Sequence, residues 1–117
     1  TTSGHVKVRG EKAFGLSVVL SFKTAAAADN LMKEWARIAD YCYKHEPYLY
    51  QYELSKSDKK EHTFFVNERY RSKEDYLQAH RMSRAFRAFR PKMKALQDAG
   101  EVTVTGESFV ELGLGFT

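Results

Sequence analysis

The sequence predicts an α+β domain in which two helices cover one face of a four-stranded antiparallel sheet. Three observations lead there. Apolar and polar residues alternate over four short stretches. Apolar residues recur at helical spacing between the first and second of these and between the third and fourth. A short polar link joins the second stretch to the third, as in a hairpin.

Residues 1–12 are polar and basic, with Gly4 and Gly10, and read as a flexible N-terminal arm with a short extended piece at 5–9. One domain is expected over 13–117. The first strand spans 16–22, with Leu16, Val18, Leu20 and Phe22 on one face and Ser17, Val19 and Ser21 on the other. Thr24 suits a helix N-cap. Leu31, Trp35, Ile38 and Cys42 then form one apolar stripe, and Asp29–Lys33 and Asp40–Lys44 are i,i+4 pairs for the solvent face. Pro47 disfavours helix at Glu46 and ends it. The second strand covers 48–54, with Tyr48, Tyr50, Tyr52 and Leu54 sharing a face, and 55–61 is a polar turn. The third strand covers 63–71, with Phe64, Val66, Glu68 and Tyr70 on one parity and Phe65, Asn67 and Arg69 on the other. Ser72, three residues before Asp75, caps a helix that runs to about Met82. A further helical stretch at 83–98 is expected to break or kink at Pro91 and to end at Gly100. The last strand covers 101–112, with Gly106 marking a bulge or bend.

This order is the split βαβ, ferredoxin-like arrangement, with both helices on one side of the sheet. Its open face is not polar enough to stay wet, because the first and third strands carry apolar residues on both parities. Val18 and Val66 occupy one side, and Val19 and Phe65 the other. A second copy packed sheet to sheet would bury that face, so a homodimer is expected.

Composition excludes several classes. At 43% hydrophobic and 14% aromatic, the chain can support a modest core and is not of disordered type. No apolar run is long enough to cross a bilayer, so no membrane partner is expected. Cys42 is the only cysteine, which excludes an intrachain disulfide and a cysteine-rich metal site; it reads as a core residue. A lone thiol suits a reducing compartment, giving a cytoplasmic expectation. The net charge of +4 permits anionic partners without requiring nucleic acid. RNA recognition on this topology needs a third strand with exposed stacking rings and a Gly, and residues 61–68 lack that pattern. Gly-rich phosphate loops, nucleophile elbows and nicotinamide or flavin fingerprints are also missing. No histidine has the spacing of a helical metal site, and no metal is expected.

The chemistry concentrates between Glu68 and Phe86. Glu68 and Tyr70 share one strand face, and His80 follows on the next helix, so a carboxylate, a phenol and an imidazole meet at one strand-to-helix junction. Such a set can take or hand over a proton near neutral pH. Arg81, Arg84, Arg87 and Arg90 recur every three residues, which reads as a solvated face or as a basic rim for an anionic ligand. Trp35 and Phe86 read as core.

Two stretches resemble the antibiotic biosynthesis monooxygenase (ABM) domain family. Glu46-Pro47-Tyr48-Leu49-Tyr50-Gln51-Tyr52-Glu53-Leu54 is similar to the family's Glu-Pro-Gly-hydrophobic-x-x-Tyr-Glu-Leu run, with Tyr48 in place of Gly. Phe64-Phe65-Val66-Asn67-Glu68-Arg69-Tyr70, then His80, Ser83 and Phe86, is similar to the family's hydrophobic strand, Glu, any residue, Trp, and a helix carrying His with Ser and Phe after it. Tyr70 stands where Trp is common. The resemblance covers about residues 14–112 and implies a dimeric α/β barrel. Haem-degrading relatives rely on an Asn of the first strand, that Trp and the His; here only His80 of the three is present. Other relatives are oxygenases without a cofactor, in which an electron-rich phenol or quinol supplies the electrons. The resemblance thus implies no cofactor and a small aromatic or quinol-type substrate. His80 would be base or proton shuttle, Tyr70 its phenolic partner and Glu68 an orienting group. Trp35 and Phe86 would line the pocket, with Arg84 at its basic rim. The alternatives are a non-catalytic domain that binds haem or another planar anion, and a dimerisation or regulatory module.

Overall fold

A computed structural model describes residues 7–8 and 12–115. The elements run β1 (Lys7–Val8), β2 (Phe14–Phe22), α1 (Ala25–His45), β3 (Leu49–Lys56), β4 (Thr63–Tyr70), a π-helical segment (Asp75–His80), α2 (Arg84–Asp98), β5 (Val102–Val110) and β6 (Leu114–Gly115). Four strands form an antiparallel sheet in the order β3-β4-β2-β5, and β1 pairs with β6 in a separate two-stranded ribbon. Both main helices pack on one face of the sheet, giving the ferredoxin-like α+β fold. The arm expected at 1–12 lies outside the described residues except for Lys12 and β1.

Local chemistry sets the helix ends. Thr24 is extended and its hydroxyl accepts the Ala27 N–H at 3.2 Å, which caps α1. Ala28, Leu31, Trp35, Ile38 and Cys42 form its buried stripe. Of the two surface pairs expected on it, Asp40–Lys44 closes at 3.0 Å, and no such contact joins Asp29 to Lys33. At the other end the Glu46 N–H reaches the Cys42 carbonyl at 2.8 Å before Pro47 turns the chain away. Ser72 caps the second helical region, accepting the Asp75 N–H at 3.1 Å.

The structure corrects the sequence reading in four places. β3 carries a bulge at Tyr50, because Leu49 pairs with Tyr70 while Gln51 pairs with Arg69. Tyr48 and Tyr50 therefore do not share the alternation of Tyr52 and Leu54, and Tyr50 turns outward beneath the Arg69 guanidinium. The helix after Ser72 winds as π-helix, with the Arg81 N–H bonded to the Tyr76 carbonyl at 3.0 Å. α2 passes through Pro91 without a break, leaving the Arg87 carbonyl without its helical donor. Gly106 makes no bulge, since β5 keeps its register with β2 from Val102 to Val110.

Leu20, Phe22, Phe64, Val66 and Val102 of the sheet meet Ala28, Leu31, Trp35 and Met93 of the helices in one core. The opposite face carries Val19 and Phe65 side by side in register, and Phe65 is 37% exposed. Phe109 covers Gly15 on that same face: a Cβ at Gly15 would lie 2.3 Å from the Phe109 ring. Arg69 holds Glu111 through two bonds of 2.7 and 3.0 Å, and Glu111 also accepts the Ala13 N–H.

A Cβ at Gly106 would stand 2.9 Å from the Ser17 carbonyl oxygen. Gly106→Val should therefore lower stability by about 1–3 kcal/mol although valine favours strands. Urea unfolding of this variant with an unmoved midpoint would show that β2 and β5 separate freely.

Candidate active site

Between the helices and the sheet lies a cavity of about 480 Å³. Leu16, Val18 and Val66 form its floor, and Trp35, Phe86 and Phe89 its walls. Gly106, which can take no side chain against Ser17, keeps part of the floor open. His80 and Glu68 reach this largely apolar space, and Tyr52, Tyr76, Lys73 and Glu107 also stand on its lining.

His80 ends the π-helical segment and is 2% exposed. Its Nδ1 lies 2.6 Å from Oε1 of Glu46, which is 3% exposed at the C-terminal end of α1. Burial pushes the Glu46 carboxyl up, but bonds from His80, the Cys42 thiol and the Tyr48 hydroxyl (2.9 Å) outweigh it and hold the group below its usual range. An ionised carboxylate only accepts, so Nδ1 is the protonated ring nitrogen and Nε2 is the free one. Four rings box the imidazole. Tyr52, Tyr70 and Phe86 stand at centroid distances of 5.5, 5.3 and 5.4 Å, and Tyr76 lies nearly parallel at 6.2 Å. Tyr52 in turn stacks on Trp35 at 4.4 Å.

Glu68 faces the cavity from β4. Burial pushes its carboxyl up, against the opposing pull of the Tyr70 hydroxyl and the His80 charge. Tyr70 donates to Glu68 Oε1 at 2.5 Å and is fully buried. Burial and the neighbouring carboxyl push its phenol far up, so it stays protonated. The two glutamates are thus shifted in opposite directions: donors hold Glu46 below its usual range, and burial pushes Glu68 above it. Carboxyls driven apart in this way suit acid and base roles.

The residues singled out from sequence fall into three places. His80, Glu68, Trp35 and Phe86 line the cavity. Tyr70 stands behind the wall with its hydroxyl bonded to Glu68, so of the two groups Glu68 was expected to orient, it holds the phenol. Arg84 points away into a groove between α1 and α2 beside Glu34, Arg37 and Lys92, while Arg90 and Lys73 are the cations at the cavity. Sequence reasoning missed Glu46 as the partner of His80. The available signal was a carboxylate at a helix C-terminus, where the helix dipole disfavours it. Tyr52 and Tyr76, read only as strand and helix positions, also line the cavity.

Among the described residues one trio could approach a metal: ligand atoms of Cys42, Glu46 and His80 lie within 4.8 Å of one another. Tetrahedral zinc with bonds of about 2.0–2.1 Å separates two N/O ligands by roughly 3.3 Å. The 2.6 Å contact of His80 with Glu46 is a hydrogen bond, and the trio would have to open to admit an ion. The second Glu46 oxygen is buried with no bond of its own.

The opposed carboxyls have opposite effects on stability. Glu68 keeps its proton to higher pH in the folded chain, so stability falls as pH rises from 4.5 through its raised value. Glu46 is depressed, so its contribution is present above 4.5 and is lost as pH falls through its lowered value. Glu68→Gln removes only the first effect. Its unfolding temperature should gain on the parent's as pH goes from about 4 to about 8. A gap that does not change with pH would contradict the raised Glu68.

The sequence profile of the antibiotic biosynthesis monooxygenase family matches residues 17–92. No curated protein matches the chain in sequence. Solved structures share its fold. A candidate antibiotic biosynthesis monooxygenase from Caulobacter crescentus superposes with a TM-score of 0.69 at 22% identity, over 85% of this chain and 89% of its own. A Pseudomonas aeruginosa protein gives 0.69 at 18%, over 89% and 98%. SnoaB of Streptomyces nogalater, a cofactor-independent oxygenase, gives 0.61 at 15%, over 86% and 92%. The profile covers well over half of the chain, and the shared fold agrees with it: this protein belongs to the antibiotic biosynthesis monooxygenase family.

Proposed function

We propose that this protein is a cofactor-independent monooxygenase acting on a phenol or quinol bound in the central cavity. The observation that carries the reading is the pairing of two cavity groups with opposed carboxyls, His80 held by ionised Glu46 and Glu68 held by Tyr70. The fold shared with SnoaB, itself a cofactor-independent oxygenase, supports it as analogy.

In this reading His80 Nε2 takes the phenolic proton. Glu46 stabilises the imidazolium and fixes which nitrogen is free. The electron-rich ring anion reduces O₂, forms a C–O bond at a hydrogen-bearing ring carbon and takes the proton back from the imidazolium to give a hydroperoxide. Loss of the proton on that carbon then breaks the O–O bond and leaves a quinone; the departing hydroxide takes a proton from the Glu68 carboxyl and leaves as water, and the carboxylate receives the proton shed by the ring. One oxygen atom enters the product and one enters water, so the substrate supplies every electron. The apolar walls surround the ring with a less polar medium than water. Tyr70 is a positioning residue that keeps Glu68 facing the cavity.

The open sheet face supports a homodimer. Val19, Phe65 and Phe109 there are apolar, and Phe65 and Phe109 remain 37% and 45% exposed. Phe65→Lys should move the chain from dimer to monomer on sizing chromatography. Elution of the parent as a monomer would end that reading.

Oxygen uptake with a panel of naphthols and quinols, with chelator present and no flavin added, tests the activity. His80→Gln should lower kcat by about 10²-fold or more. Glu46→Gln should lower kcat and displace the pH profile, since it changes the proton arrangement on the imidazole. Uptake that survives both substitutions would refute the assignment. Ligand-induced quenching of Trp35 without any uptake would favour a binding protein on the same fold.

A further inference from the structure

Beside the central cavity lies a second hollow of about 680 Å³ between the π-helical segment and α2. Three guanidiniums line it: Arg81 from the turn ahead of α2, and Arg87 and Arg90 from adjacent turns of that helix. Gln78, Met82 and Phe86 share its walls, and no acidic side chain does. Elsewhere Arg37 pairs with Glu34, Arg69 with Glu111 and Arg71 with Asp75, while Arg84 has no ion pair among the described residues. Among the described residues no carboxylate pairs with Arg81, Arg87 or Arg90. All three are exposed, and like charges around one hollow without a counter-charge repel one another, which an anion relieves.

Helical periodicity alone does not create this cluster. Arg84 falls on the same three-residue spacing, yet it lines the groove between α1 and α2 instead. The hollow adjoins the cavity, since Phe86 and Arg90 line both spaces. Tyr76 marks the junction. Burial and Glu68 push its phenol up, while the charges of Arg81 and Arg90 pull it down, so both guanidiniums act on a ring that lines the cavity.

We infer that the hollow is an anion subsite, and that the ligand is an aromatic molecule bearing a phosphate or carboxylate on a short tail. The ring occupies the cavity and the anion meets Arg81, Arg87 and Arg90. A bare quinol would leave the hollow unused. Guanidinium forks suit both anions through paired N–H donors. The placement of the ring rests on the cavity reading above; the anion subsite stands apart from it.

Calorimetric titrations of the full chain with phenol, phenyl phosphate, benzoate and inorganic pyrophosphate test this, with emission of the single tryptophan, Trp35, reporting ring entry. Phenyl phosphate should bind about tenfold or more tightly than phenol at low salt, with the gain shrinking as NaCl rises. The gain should vanish in Arg87→Gln and in Arg90→Gln and persist in Lys56→Gln, a charge removed at the far hairpin. A gain shared by benzoate identifies a general anion site, and a gain confined to phenyl phosphate identifies a phosphate site. Equal affinities for phenol and phenyl phosphate, or an equal loss in Lys56→Gln, would overturn the proposal. Arginine-dependent pyrophosphate binding with Trp35 emission unmoved by phenol or phenyl phosphate would keep the subsite and sink the placement of the ring. A short RNA that binds and is not displaced by pyrophosphate would make the hollow part of a macromolecular surface, which also overturns the inference.

Discussion

The hydrogen bond between His80 and Glu46 joins the two halves of the fold at the point where chemistry is proposed. It spans 34 residues of sequence and links the end of α1 to the end of the π-helical segment. A buried carboxylate at a helix C-terminus faces the negative end of the helix dipole and has lost its hydration. It is tolerable only with donors around it, and His80, Tyr48 and Cys42 are those donors. The constraint runs both ways. The imidazole needs the carboxylate to set its tautomer, and the carboxylate needs the imidazole to remain buried. Removing either partner leaves an uncompensated polar group in the interior.

Around that contact the rings act as a mould. Tyr52, Tyr70, Tyr76 and Phe86 leave the imidazole little room to rotate, and Trp35 backs Tyr52. The second carboxyl is held by different means: Glu68 has a phenol on one oxygen and an apolar cavity before it. Burial pushes both carboxyls up; the larger set of donors around Glu46 turns its net shift downward, while Glu68 stays raised.

Much of the fold was legible because periodicity is a local property. Alternation marked β2 and β4, the Leu31–Trp35–Ile38–Cys42 stripe marked α1, and Thr24 and Ser72 marked the helix starts. What failed were decisions made by the tertiary structure. The bulge at Tyr50 inserts one residue that alternation cannot reveal, and Pro91 is carried through α2 although its local preference is to break a helix. Gly106 read as a bend and is instead a close approach of two strands. The site divided along the same line. His80, Glu68 and Tyr70 were visible as neighbours across one junction. Glu46 was hidden by its distance in sequence, and Arg84 was misassigned because spacing does not say which side of a helix faces a pocket.

The π-helical turn before His80 has a consequence for how this chain is compared with others. A π-turn holds one residue more than an α-turn in nearly the same length, so it is an α-helix with an insertion absorbed in place. Residues after it are rotated by about 100° relative to an uninterrupted helix. Counting from the Ser72 cap along a regular α-helix would assign the inward position to a neighbour of His80. A relative lacking the extra residue would present its histidine one place earlier in the count, with the ring at the same point in space. Equivalence in this part of the family is therefore a matter of angle around the helix axis, and an alignment that forbids a gap between Asp75 and His80 would pair the wrong side chains.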